Sequence, residues 1–250
     1  MEQASKFLGG LSGFREVSGT CEQHGESAVL LHPRHGRQDW YCTTCAEEVR
    51  READQAAWLK SRAETLHRIA TIPDKCVGQR FEAKTAAQRQ IRVTVKAYRD
   101  MIAGRRTWAV LTLMGKNGTG KTLLACELAQ SLIDNLSMSV RYCTANQMVS
   151  EIQSAYNMEG KTEEGEILKF AQYDVLILDE IDAKRNSENA SLLLTEVVNR
   201  RYNSERPVIV ITNQPMEKLA QYVGDRVFSR LHENAFVCAF DWHDYRMAGP

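Results

Sequence analysis

The chain has 250 residues, 43% apolar and 26% charged; this suits one full α/β domain plus a small appendage and excludes a disordered or fibrous protein. Its 32 basic residues balance 32 acidic ones, so there is no overall basic field of the kind many nucleic-acid binders carry, which leaves only a local stripe or an assembled ring for such binding. No apolar run reaches the roughly 18 residues that cross a bilayer, and the opening MEQASKFLGG lacks a secretory pattern.

Residues 1–45 are rich in Gly, His and Cys, show little helical or strand period, and read as irregular. Within them Cys21-x-x-His24 and Cys42-x-x-Cys45 are separated by 17 residues. Two short chelating pairs at that spacing match zinc knuckles and ribbons, and the polar segment between them has no hydrophobic core of its own. Cys21, His24, Cys42 and Cys45 are therefore the expected Zn²⁺ ligands, with His32 and His35 as spare candidates. A closed set of four is structural rather than catalytic. The alternative is three free thiols and a coincidental histidine. The other cysteines, Cys76, Cys126, Cys143 and Cys238, fall in apolar segments and read as small buried hydrophobes in a reducing, cytoplasmic compartment.

Residues 46–70 carry apolar side chains at three- and four-residue steps, largely alanine, with Trp58 and Ile69 beside the stripe. This predicts one charged helix, stopped at Ile72-Pro73. Such a helix either packs on the main body or docks a partner. The expected organisation is thus 1–45 as a zinc-knuckle-like segment, 46–72 as helix and linker, and 73–250 as the main domain.

Beyond Phe81, helices and apolar strands alternate. Helices are expected near 84–103, 121–136, 147–158, 163–171 and 189–202, with two short ones after Thr212. Strands are expected at 108–115, 140–144, 175–178, 208–212 and 236–240. Near-continuous apolar strands between helices imply an α/β fold whose parallel sheet is covered on both faces.

Gly115-Lys116-Asn117-Gly118-Thr119-Gly120-Lys121-Thr122 matches G-x-x-x-x-G-K-[ST] completely and lies between a predicted strand and a predicted helix. Its glycines let backbone amides and the helix N-terminus face phosphates. Lys121 suits the β- and γ-phosphates of ATP, and the Thr122 hydroxyl suits Mg²⁺. The apolar run Val175–Leu178 ends in Asp179 and Glu180, at the sheet edge where ligands bind in open α/β folds. Asp179 suits the Mg²⁺ shell, and Glu180 suits polarising an attacking water, which argues for hydrolysis as well as binding. Asn213, after Val208–Thr212, either holds that water or simply forms a turn. Arg226 and Arg230 lie four apart, on one face of a predicted helix. They read either as a solvated pair or as guanidinium groups that stabilise the transferring phosphoryl, often across a subunit interface.

These motifs in this order resemble the AAA+ ATPases, and within them the DnaC-type bacterial and phage replicative-helicase loaders. The likeness spans about residues 72–246 and includes VLILDEI, VVNRRYNSERP, ITN, GDRVFSRL and FDWHDYR. It implies a P-loop AAA+ core, with Asn213 as sensor 1, Arg230 with Arg226 beside it as arginine finger, and Arg246 as a sensor-2 candidate. It also implies a partner, a DnaB-type replicative DNA helicase gripped through the N-terminal helix. Single-stranded DNA binding and self-assembly on the helicase ring follow from the resemblance alone. The best-known loaders lack a Cys/His cluster, and the chain stops too soon after the core for an initiator's helix-turn-helix domain. The competing expectations are a transposition-helper ATPase of the same fold and an adaptor that binds ATP without hydrolysing it.

Overall fold

The computed structural model describes residues 15–32, 36–104, 107–155, 158–183 and 188–245. The chain divides into two compact units, Met1–Arg62 and Ala63–Pro250.

In the first unit, the segment expected to be irregular is a three-stranded antiparallel sheet: β1 (Arg15–Cys21), β2 (Gly25–His32) and β3 (Gly36–Cys42). β1 and β2 pair in unbroken register from Arg15↔Leu31 to Cys21↔Gly25, and the register between β2 and β3 shifts at Leu31/His32. Among the described residues its apolar cluster is Cys21, Val29 and Cys42, flanked by Val17 and Cys45. Period-2 patterning is hard to read in the sequence because the apolar residues of β2 run consecutively from Ala28 to Leu31 and those of β3 are confined to Trp40, Tyr41 and Cys42, so neither strand alternates. Helix α1 (Thr43–Ala70) follows directly and begins three residues before the expected start. Only Leu66 and Ala70 are buried along it, and both lie in the second unit.

The second unit is built on five parallel strands in the order β5-β6-β7-β4-β8. These are β4 (Val110–Gly115), β5 (Val140–Thr144), β6 (Val175–Asp179), β7 (Val208–Thr212) and β8 (Ala235–Phe240). Every residue of β6 and β7 is buried, and the strand period of two divides them between two cores. Leu111, Leu113, Ile177, Ile209 and Ile211 face one way, against α2 (Ala86–Ile102), α3 (Lys121–Leu136) and the end of α1. Val110, Leu176, Leu178, Val208 and Val210 face the other way. There they meet α4 (Ala145–Ser154), α5 (Glu163–Gln172), α6 (Glu188–Asn203), α7 (Met216–Val223) and α8 (Asp225–His232). The expected parallel sheet with helices on both faces is therefore present. The α4 helix begins and ends earlier than its sequence period implied, because Thr144 and Gln147 form a capping box at its start.

Arg201 on α6 is fully buried and donates to the carbonyls of Phe170, Tyr173 and Pro207 at 2.9, 2.8 and 2.7 Å. It ties the end of α5 to the start of β7. Burial pushes its guanidinium down to about 9.

Candidate nucleotide site and metal centre

β4 runs straight into the glycine loop, and the loop into α3. Gly115 has φ 138°, and a Cβ there would sit 2.1 Å from the Phe240 carbonyl oxygen on β8, so only glycine allows this loop to leave the sheet. Gly120, with φ 95°, stands where the N-cap of α3 would be, leaving the first amides of the helix free of a side-chain cap. An uncapped helix N-terminus preceded by a concave glycine turn favours an anion. Lys121 is 6% exposed and folds back along the loop. Its Nζ donates to the carbonyls of Gly115 and Lys116 at 2.7 and 2.6 Å.

Asp179 closes β6 beside α3. Its Oδ2 accepts from Thr122 Oγ1 at 2.9 Å and from the Tyr142 hydroxyl at 2.8 Å, while Oδ1 accepts the Glu180 N–H at 2.8 Å. A buried carboxylate beside an alcohol is a hard oxygen donor set, the kind Mg²⁺ takes. Glu180 has φ 50°, a left-handed conformation uncommon outside glycine. That turn exposes its carboxylate at the edge of the sheet. Asn213 stands just past β7, its N–H 3.4 Å from both oxygens of Asp182.

Asn117 to Thr122, Asp179, Glu180 and Asn213 all line one cavity of about 670 Å³, within the usual range for ligand sites. Gly115 and Lys116 form the base of the loop behind it. More of the wall comes from the segment before α2, with Lys75, Cys76, Gln79, Arg80 and Phe81. Two tyrosines join them, Tyr142 on β5 and Tyr245 after β8.

The motif positions on β4, β6 and β7 thus converge on one cavity. Sequence reasoning missed two groups at it. Tyr142 reads as one more strand residue, and its role depends on β5 lying next to β6. The segment after β8 crosses the loop, with Trp242 Nε1 donating to the Thr119 carbonyl and the Tyr245 N–H to the Gly118 carbonyl, both at 3.1 Å. Its aromatic residues are the only sequence signal for that contact.

Arg226 and Arg230 sit on α8 and are not among the residues lining this cavity. Arg226 is exposed. Arg230 is half-buried, its guanidinium 5.0 Å over the Tyr202 ring, with Nη1 buried and without a hydrogen-bond partner among the described residues. Arg246 lies outside the described residues.

The family described as IstB-like ATP binding protein matches residues 46–234. The chain belongs to this family. Replicative helicase loader DnaC of Escherichia coli strain K12 is 26% identical over 196 residues, covering 78% of this chain and 79% of that protein. The crystal structure of the DnaC helicase loader matches at TM-score 0.57 and 20% identity, over 64% of this chain and 93% of that one. The crystal structure of DnaI matches at TM-score 0.56 and 15% identity, over 70% and 94%. These two likenesses show a shared fold. As a member of an ATP-binding family, the chain has its glycine loop, Asp179 and Glu180 inside the matched range.

The Cys/His cluster precedes that range. Cys21 ends β1, His24 sits in the turn before β2, Cys42 ends β3 and Cys45 lies in the first turn of α1. One ligand atom from each lies within 4.8 Å of all the others. With Zn–S about 2.3 Å and Zn–N about 2.0 Å, tetrahedral edges are about 3.8 Å between sulfurs and about 3.6 Å from sulfur to nitrogen. Here Cys21 and Cys45 Sγ are 3.6 Å apart, and His24 Nδ1 is 3.7, 3.9 and 3.3 Å from Sγ of Cys21, Cys42 and Cys45. The other ring nitrogen of His24 reaches Glu48 Oε2 at 3.1 Å, as ligating histidines commonly do. Burial alone would raise the Cys42 thiol, yet hydrogen bonds from Ser27 and from the Cys45 backbone bring it down to about 6. Contact with Cys21, and then burial, pushes Cys45 up to about 12. Three sulfurs and one imidazole nitrogen at these spacings fit the donor set of Zn²⁺. The His32 side chain and His35 lie outside the described residues.

Proposed function

We propose that the chain is an ATP-hydrolysing loader of a DnaB-type replicative DNA helicase, acting in the cytoplasm at the initiation of DNA replication. The observation that carries this reading is the match to DnaC over 79% of that protein's length, joined to a cavity where Lys121, Thr122, Asp179, Glu180 and Asn213 meet. In this reading Lys121 leaves the carbonyls of Gly115 and Lys116 for phosphate oxygens. Thr122 and Asp179 hold Mg²⁺, which when bound neutralises charge on the phosphates. Glu180 polarises the attacking water and Asn213 orients it. Arg230, with Arg226 beside it, serves a neighbouring subunit's site, and Arg246 is a further nucleotide contact. The exposed position of Arg226 and the placement of both arginines away from their own cavity support a role across an interface. Residues 1–45 hold a structural Zn²⁺, 46–72 dock the helicase and 73–250 form the ATPase domain. Single-stranded DNA and self-assembly on the helicase ring complete the proposal.

The test is co-sedimentation with the replicative helicase encoded in the same genome. The full chain should bind it, and a variant lacking residues 1–62 should keep ATP binding but lose the helicase. Binding to a transposase in place of the helicase would favour the transposition-helper reading.

A further inference from the structure

We infer that Tyr142 is a positioning residue for Asp179, its hydroxyl fixing the carboxylate in the orientation that receives Mg²⁺; this rests on the Mg²⁺–ATP reading above. The terminal torsion of an aspartate is broad, so a metal-holding carboxylate must be oriented by its neighbours. Asp179 has three donors within 2.9 Å. One is the Glu180 N–H on Oδ1. On Oδ2 the donors are Thr122, itself assigned to the ion, and Tyr142. The tyrosine is therefore the side chain on Oδ2 with no other task at the site.

Its own placement is fixed by backbone. Tyr142 pairs with Ile177 in the parallel ladder, two residues before Asp179. Its carbonyl accepts the Thr71 hydroxyl at 2.5 Å, and the neighbouring Arg141 donates to the Ile69 carbonyl at 3.3 Å. Ile69, near the end of α1, and Thr71, just past it, thus hold the middle of β5 in place. Burial, and then the Asp179 charge, holds the phenol far above its usual range, so it remains a donor. The ring packs against the core, and phenylalanine would preserve that packing while removing only the hydroxyl.

The experiment compares the full chain with Tyr142→Phe. Three quantities are read: melting temperature, ADP affinity in EDTA, and ATP hydrolysis as free Mg²⁺ is varied. Melting temperature and ADP affinity should stay near wild type, while the Mg²⁺ giving half-maximal hydrolysis should rise about tenfold or more, with turnover recovering at high Mg²⁺. An unchanged Mg²⁺ requirement would overturn the inference and leave the nucleotide site standing. Equal losses in EDTA and in Mg²⁺ would reduce Tyr142 to packing and also overturn it. A wild-type chain whose hydrolysis ignores Mg²⁺ would instead overturn the underlying reading, without reference to any variant.

Discussion

Replacing Gly115 by alanine should damage the site more than the same change at a glycine of similar backbone freedom but open surroundings. At Gly115 the new Cβ would sit 2.1 Å from the Phe240 carbonyl oxygen and 2.8 Å from its carbon, both main-chain atoms of the adjoining strand. Gly160 also has a positive φ, 78°, but a Cβ there meets nothing within 4 Å. The backbone conformation alone costs about 1–2 kcal/mol at each site. At Gly115, β8 must also move, and Phe240 is 1% exposed and packed on Phe81 and Trp242. Forcing a packed core apart costs about 1–3 kcal/mol more. At about 2–4 °C per kcal/mol for a unit of this size, Gly115→Ala should melt roughly 4–20 °C below wild type and Gly160→Ala roughly 2–8 °C below, the first always by the larger amount. Because Gly115 is also where the phosphate-facing loop leaves β4, its displacement should misplace the loop amides, so ATP affinity should fall in the first variant and hold in the second. Thermal melts followed by circular dichroism, with calorimetric ATP titrations, give both readings. Equal melting losses in the two variants would refute the argument from the close approach to β8.

Lys121→Ala should leave the melting temperature near wild type but reduce ATP affinity about 100-fold or more, since two charged hydrogen bonds to phosphate at about 1.5 kcal/mol each amount to about two decades; calorimetry decides. Elemental analysis should find one zinc per chain, and Cys42→Ser should lose it while retaining ATP binding; zinc-free protein prepared without chelator would refute the metal assignment. Arg230→Ala and Glu180→Gln should each be inactive alone, and mixed they should regain hydrolysis where an intact Glu180 meets a neighbour's intact Arg230. No recovery despite demonstrated co-assembly would tell against an arginine supplied across an interface.

The sheet and its flanking helices were legible because β4, β6, β7 and β8 are short apolar runs between helical periods, with β5 the more polar exception. The bounds of α3, β5 and β7 match expectation to the residue. The loop and Asp179–Glu180 were legible because their chemistry depends on local spacing. The β1–β3 sheet was not, since the apolar residues of β2 and β3 come in consecutive runs, Ala28 to Leu31 and Trp40 to Cys42, which leave no alternation. Tyr142 and the segment over the loop escaped for a different reason: Asp179 lies 37 residues from Tyr142, and Thr119 lies 123 residues from Trp242. Only the order of strands in the sheet brings them together.

In the proposed function, ATP in this cavity drives delivery of a helicase. Transfer of the replicative helicase from the same genome onto circular single-stranded DNA, measured with the full chain, tests it most directly. Loading should require the chain and ATP and should fail with Lys121→Ala. Loading that proceeds equally with Lys121→Ala, or no loading by a chain shown to bind both ATP and the helicase, would contradict it.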